Sequence, residues 1–117
     1  MHKYIIKAIF IITIFAGCKK ENIAKNIPSC IRSEIENAEN DTNHYIGKVS
    51  EYIFQGRTVY TFEEDERILA DASTFIKDSA CNVICDIGGL AGPNLTLCDG
   101  VKFYDNAVLK RIIWQKK

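Results

Sequence analysis

The sequence predicts an α+β fold: a short N-terminal helix packed on a small antiparallel sheet of four to five strands, built from β-hairpins and stabilised by disulfides. Three observations carry that expectation. Ile31, Ile35 and Ala38 recur at helical spacing directly behind Pro28 and Ser29, residues that suit a helix start. Two runs rich in β-branched and aromatic residues, 45–54 and 57–62, are separated by Gln55 and Gly56 alone, the spacing of a hairpin. Four cysteines, Cys30, Cys81, Cys85 and Cys98, form an even set once the fifth, Cys18, is accounted for separately.

Taken in order, the helix is expected over residues 29–39, with Arg32, Glu34, Glu36 and Asn37 on a solvated face and the turn formers Asn40, Asp41, Thr42 and Asn43 ending it. In the hairpin, Tyr52 and Phe54 alternate to one face of the first strand and Tyr60 and Phe62 to one face of the second. These aromatic residues are expected to pair across the ladder and supply much of the core. The acidic run Glu63, Glu64, Asp65, Glu66 lacks the regular ligand spacing and turn glycine of a calcium loop, so it reads as solvated. Residues 68–76 fit a helical stripe through Ile68, Leu69, Ala72, Phe75 and Ile76, and also a strand. The reading adopted is a second hairpin over 73–85, turning at 78–82 after a helical turn at 64–69. A last strand over 109–114 follows a turn at 104–106, with Trp114 in the core or at the sheet edge.

The N-terminus decides what the domain is. His2, Lys3 and Lys7 precede an apolar run over 8–15, which is too short to span the roughly 30 Å of a bilayer, and Ala16-Gly17 then lead to Cys18. This is the order of a secretory signal peptide. Phe15-Ala16-Gly17-Cys18 also resembles the lipobox of bacterial lipoprotein precursors, in which the cysteine thiol is acylated and the chain is cut before it. The expected organisation is therefore a cleaved signal peptide over 1–17, an acylated Cys18 with a polar tether over 18–27, and one small domain over 28–117. Lys19, where inner-membrane lipoproteins of enterobacteria carry Asp, makes the outer membrane the implied address.

Removal of 1–17 leaves 100 residues, with 13 Lys and Arg against 15 Asp and Glu. That near-neutral balance without a basic stripe excludes a protein built to neutralise nucleic-acid phosphates. On the exported side, thiols can oxidise, and the four remaining cysteines are expected to form two disulfides. Three pairings are open; Cys85 with Cys98 would close a glycine-rich loop, and Cys30 with Cys81 would tie the N-terminal segment to the body. The alternative of a four-thiolate metal site suits the spacing of Cys81 and Cys85 poorly, and there is no Cys-x-x-Cys redox pair. No metal or other cofactor is expected.

Cys85, Gly88-Gly89, Gly92, Cys98-Asp99-Gly100 and the closing Ile112-Ile113-Trp114 resemble an uncharacterised family of small lipoproteins of Bacteroidota-type bacteria, over residues 28–114. The resemblance implies an envelope location and a domain of unknown function, and it transfers no catalytic residue. The glycines lack the order of a phosphate-binding loop. The first reading is a compact scaffold loop, in which Gly88, Gly89 and Gly92 take backbone angles other residues resist and Cys85 and Cys98 staple the ends. If the loop binds, Gly88, Gly89, Leu90, Gly92 and Leu95 are the candidate recognition loop. The expected function is a non-catalytic binding or structural module, held to the membrane by its acyl chains and facing an envelope protein or glycan. A protease or lysozyme inhibitor presenting residues 86–97 is the first alternative. A small hydrolase using His44, the one histidine of the mature chain, is the second.

Overall fold

A two-residue turn with both φ angles positive, Gln55 at 53° and Gly56 at 77°, joins β1 (Ile46–Phe54) to β2 (Arg57–Glu64). Such a turn matches the right-handed twist of the flanking strands, and a glycine meets its second position without strain. The computed structural model describes residues 22–41, 44–69, 71–89 and 96–117. The expected signal peptide, Cys18, Leu90, Gly92 and Leu95 lie outside the described residues. β3 (Ser73–Lys77) and β4 (Val83–Gly88) form the second hairpin. Its turn is held by Asp78, whose Oδ1 accepts the backbone N–H of Ala80 and of Asn82, each at 2.9 Å.

The sheet has five antiparallel strands in the order β4-β3-β2-β1-β5, with β5 (Ala107–Gln115) returning to lie beside β1. β5 starts earlier than the sequence suggests, because the expected turn before it is the single helical turn α2 (Phe103–Asn106). Among the described residues the longer helix is α1 (Ser29–Asn40), so the domain is mostly β, away from the even balance that α+β implies.

The register corrects the expected aromatic ladder. Phe54 partners Arg57, Tyr52 partners Val59 and Val49 partners Phe62. A two-residue turn thus pairs even positions with odd ones, and strand alternation sends Tyr52, Phe54 and Val59 to one face and Val49, Tyr60 and Phe62 to the other.

Two buried clusters follow. One joins Ile31, Ile35 and Ala38 of α1 to Val49, Tyr60, Phe62, Ile113, Trp114 and Ile23. Consecutive residues Ile113 and Trp114 both reach it because the β1–β5 register shifts beside them, between Val49 and Ser50. The second cluster contains Phe54, Val59, Ile76, Ile87, Cys98 and Phe103. Here Phe103 is the hub, its ring 4.9 Å from that of Phe54 and 5.2 Å from that of Tyr52.

Each cluster carries one disulfide at its margin. Cys30 of α1 is bonded to Cys81, with Cα atoms 6.0 Å apart, and Cys85 of β4 to Cys98, at 5.5 Å. α1 is further held by the Glu34–Lys77 ion pair and by Trp114 Nε1–H donating to Glu39 Oε2 at 2.9 Å. Residues 22–27, part of the expected tether, run beside β5. Ile23 is buried, and the Ala24 N–H donates to the Ile113 carbonyl at 3.0 Å.

Candidate functional site

One row of paired residues crosses four strands: Lys48 opposite Glu63, Glu63 opposite Thr74, and Thr74 opposite Ile87. All four project to the face of the Phe103 cluster. On that face, beside the row, α2 sets Tyr104 against Tyr52, ring centroids 5.9 Å apart in an edge-on arrangement. Tyr52, Tyr104, Lys48, Glu63, Thr74 and Gly88 line a groove of about 430 Å³, with Glu66 and Ala72 completing the rim.

The groove has both an aromatic surface and a mixed set of hydrogen-bonding groups. Tyr104 is 41 % exposed at its mouth, with Thr74 lining the same groove. Partial burial, with Glu63 and Tyr52 adding to it, pushes the Tyr104 phenol up to about 12. Burial, then the charge of Glu63, raises the Tyr52 phenol as well. Both hydroxyls are therefore neutral near pH 7 and able to donate as well as accept. Lys48 Nζ stands 3.7 Å from Glu63 Oε2, with both side chains about one third exposed. That pair is worth little as a staple, so a ligand hydroxyl can insert into it at low cost.

The candidate recognition loop leaves from this groove. Gly88 has φ +105°, and a Cβ on it would stand 3.3 Å from the Ala72 carbonyl oxygen and the Ser73 Cα, so a larger residue would push the groove wall apart. The next residue, Gly89, donates its N–H to the Ala72 carbonyl at 3.1 Å. On the return side Leu97 is 54 % exposed while Cys98 is buried in its disulfide. Gly88 and Gly89 are thus placed at the groove; Leu90, Gly92 and Leu95 belong to the residues beyond description.

The other candidates fall elsewhere. His44 precedes β1, where its Nδ1 accepts the Ile46 N–H at 3.1 Å. Cys30, Glu34 and Cys81 bring ligand atoms within 4.8 Å of one another, but the two sulfurs are bonded to each other and offer no thiolate. The acidic run divides. Asp65 is drawn in, its carboxylate 6 % exposed, accepting from the Arg67 backbone N–H at 2.9 Å and from both ends of the Arg67 guanidinium at 3.0 Å. Lys116 Nζ lies 3.5 Å away on the same carboxylate. These hydrogen bonds hold the Asp65 carboxyl well below the usual carboxylate range. The hub ties the end of β2 to the chain's last residues, which is a structural role and overrides the expectation of a solvated loop at that residue.

Sequence reasoning placed Tyr104 only in a turn before the last strand and Tyr52 in a core ladder. The legible signal was an aromatic pair, Phe103-Tyr104, beside turn-forming Asp105-Asn106, a pattern that buries one ring and leaves its neighbour outside.

A family described as a domain of unknown function, DUF6970, matches residues 34–116. No curated protein and no solved structure matches the chain.

Proposed function

Because the chain belongs to the DUF6970 family, a domain of unknown function, we propose from its own residues that it is a non-catalytic binding module of the bacterial envelope, anchored through Cys18. Its ligand is a polyhydroxyl molecule, a glycan, held in the Tyr52–Tyr104 groove. The observation that carries this reading is the pairing of a half-exposed tyrosine ring with neutral hydroxyls and an exposed Lys48–Glu63 pair in one concave site. A ring offers an apolar face to sugar C–H groups, and convergent donors and acceptors orient the hydroxyls. The lipobox-like 15–18 segment and the even set of disulfide cysteines support the envelope address.

The test is calorimetric titration of the disulfide-intact domain with muropeptides and with neutral oligosaccharides. Binding that is lost in Tyr104→Ala, while the melting transition stays cooperative, supports the reading; no heat with either ligand set removes it. Anchoring is tested separately, by labelled palmitate entering the wild-type protein and not Cys18→Ser.

One observation favours a second reading. Leu97 is exposed next to Cys98, which the Cys85–Cys98 disulfide fixes to β4, as a contact residue of a protease or lysozyme inhibitor would be. Slowed turnover in a panel of such enzymes, relieved by Leu97→Asp, would favour it over the glycan module.

A further inference from the structure

β5 stands at one end of the sheet, so one of its edges faces no other strand of the sheet. Along it Val108, Leu109 and Ile112 are 65, 51 and 50 % exposed. Leu109 and Ile112 sit opposite Tyr52 and Ser50, whereas Val108 sits opposite Ile53, so the apolar groups straddle the edge and reach outward on both sides of it. Residues 107–117 carry Lys110, Arg111, Lys116 and Lys117 and no acid. Arg111 is engaged by Glu51 and Lys116 by Asp65, while Lys110 and Lys117 are exposed.

The chain leading to Cys18 departs from this same edge. Arg111 donates to the carbonyls of Lys25 and Asn26 at 2.9 and 3.2 Å, Ala24 is bonded to Ile113, and Asn22 shares a cavity with residues 114–117. Residues 22–26 therefore run antiparallel to β5 and end beside its C-terminus. Asn22 is four residue steps from Cys18, a span of at most about 14 Å at full extension. An acyl chain on Cys18 would hold the C-terminal end of this edge close to the bilayer, and the strand lying along the surface would bring Val108 and Leu109 to it.

We propose that the β5 edge is a membrane-contact surface, with Val108, Leu109 and Ile112 resting in the interfacial layer and Lys110 and Lys117 on anionic head groups. The inference rests on the anchoring reading above. Apolar side chains flanked by lysines are the composition that binds anionic interfaces, and a second weak contact strengthens a lipid anchor. Residues 24–26 line the edge at Arg111 and Ile113, and the backbone groups of 107–110 stay at head-group depth, where water satisfies them. A second copy is the poorer occupant, because antiparallel self-pairing of β5 about its central residue sets Arg111 opposite its own copy and Lys110 diagonal to its own, and residues 24–26 already occupy part of the edge.

The experiment imposes the anchor, so that it reports on the edge alone. The disulfide-intact chain lacking residues 1–17 is coupled through the Cys18 thiol to a maleimide lipid, in phosphatidylcholine vesicles with or without phosphatidylglycerol. Amide hydrogen exchange is then compared with that of the free protein. The expected result is exchange slowed several-fold over 107–112 on the anionic vesicles, less on the neutral ones, and lost in Val108→Ser/Leu109→Ser/Ile112→Ser. Lys110→Glu/Lys117→Glu keeps the apolar groups and should lose the dependence on anionic lipid. Unchanged exchange over 107–112 on anionic vesicles overturns the proposal. So does slowing in solution that grows with protein concentration, which would assign the edge to a second copy. Absence of natural acylation would appear in the palmitate experiment and leave this one intact.

Discussion

The two faces of the sheet are closed in different ways. On one, a twelve-residue helix presents Ile31, Ile35 and Ala38 as a continuous stripe, and its other contacts, through Cys30, Glu34 and Glu39, are spread along its length. On the other, a short irregular stretch does the work: Cys98, one turn, and the four residues of α2, with Phe103 filling the centre. The helix meets its face along that stripe, and a cavity of about 520 Å³ opens at its C-terminal end between Ala38, Glu39 and Trp114. A single ring covers only its own area, and the uncovered margin between Tyr52, Tyr104 and Gly88 is the groove. The contrast teaches that, among the described residues, the candidate groove lies on the face closed by the shorter element.

That contrast can be broken most directly at Phe103. Phe103→Ala removes the one ring that joins Tyr52, Phe54 and Tyr104, and should cost about 3–5 kcal/mol in chemical denaturation. Ile35→Ala, a single contributor to the helix stripe, should cost less within its own range of about 2–5 kcal/mol. Equal losses would mean that the two faces are equally redundant.

The disulfides sharpen the comparison next. The bridges span 51 and 13 residues of sequence, so loop entropy predicts about 4 kcal/mol lost on removing Cys30–Cys81 and about 3 kcal/mol on removing Cys85–Cys98. Double alanine variants, each measured by urea unfolding, decide the order. Ligand binding should move the other way, weakened more by losing Cys85–Cys98, the bridge nearer the groove.

Asp65 tests what both faces share, the closure at the end of the sheet. Its folded pKa lies below the unfolded value of about 3.9, so its contribution is complete above roughly pH 5 and is lost as pH falls toward the folded value. Asp65→Asn should therefore melt at a lower temperature than wild type at neutral pH, with the gap narrowing as the solution is acidified below about pH 4.

The smallest effect is expected at the groove itself. Tyr104→Phe removes one hydroxyl from a partly exposed groove, at a cost of no more than about 0.5–1.5 kcal/mol. With the folded phenol pushed up to about 12, folding favours its neutral form. That contribution is present below the unfolded value near 10 and disappears as pH rises through the folded one. An ultraviolet titration should accordingly show a phenolate step near 12 in wild type that Tyr104→Phe lacks.

Local order along the chain was legible where a short period or a fixed spacing carries it. The i, i+4, i+7 stripe places α1, the Gln55-Gly56 pair places the first hairpin, and Asp78 to Asn82 place the second, because each depends on atoms within a few residues. The even cysteine set likewise announced two disulfides. The partner of each aromatic residue needed more. Alternation says that Tyr52 and Phe54 share a face, but only the register across the turn says which face of β2 they join.

The groove was the least legible feature, since Tyr52, Thr74, Gly88 and Tyr104 come from four separate elements and no local pattern relates them. What the sequence determined by itself was the set of elements, their turns and the number of cross-links, all consequences of short-range geometry. Tertiary structure alone decided the faces, the cysteine partners, the burial of Asp65 and the meeting of the two tyrosines. Those depend on which strands compete for the same neighbours, and β5 settles much of it by travelling the length of the chain to pair with β1.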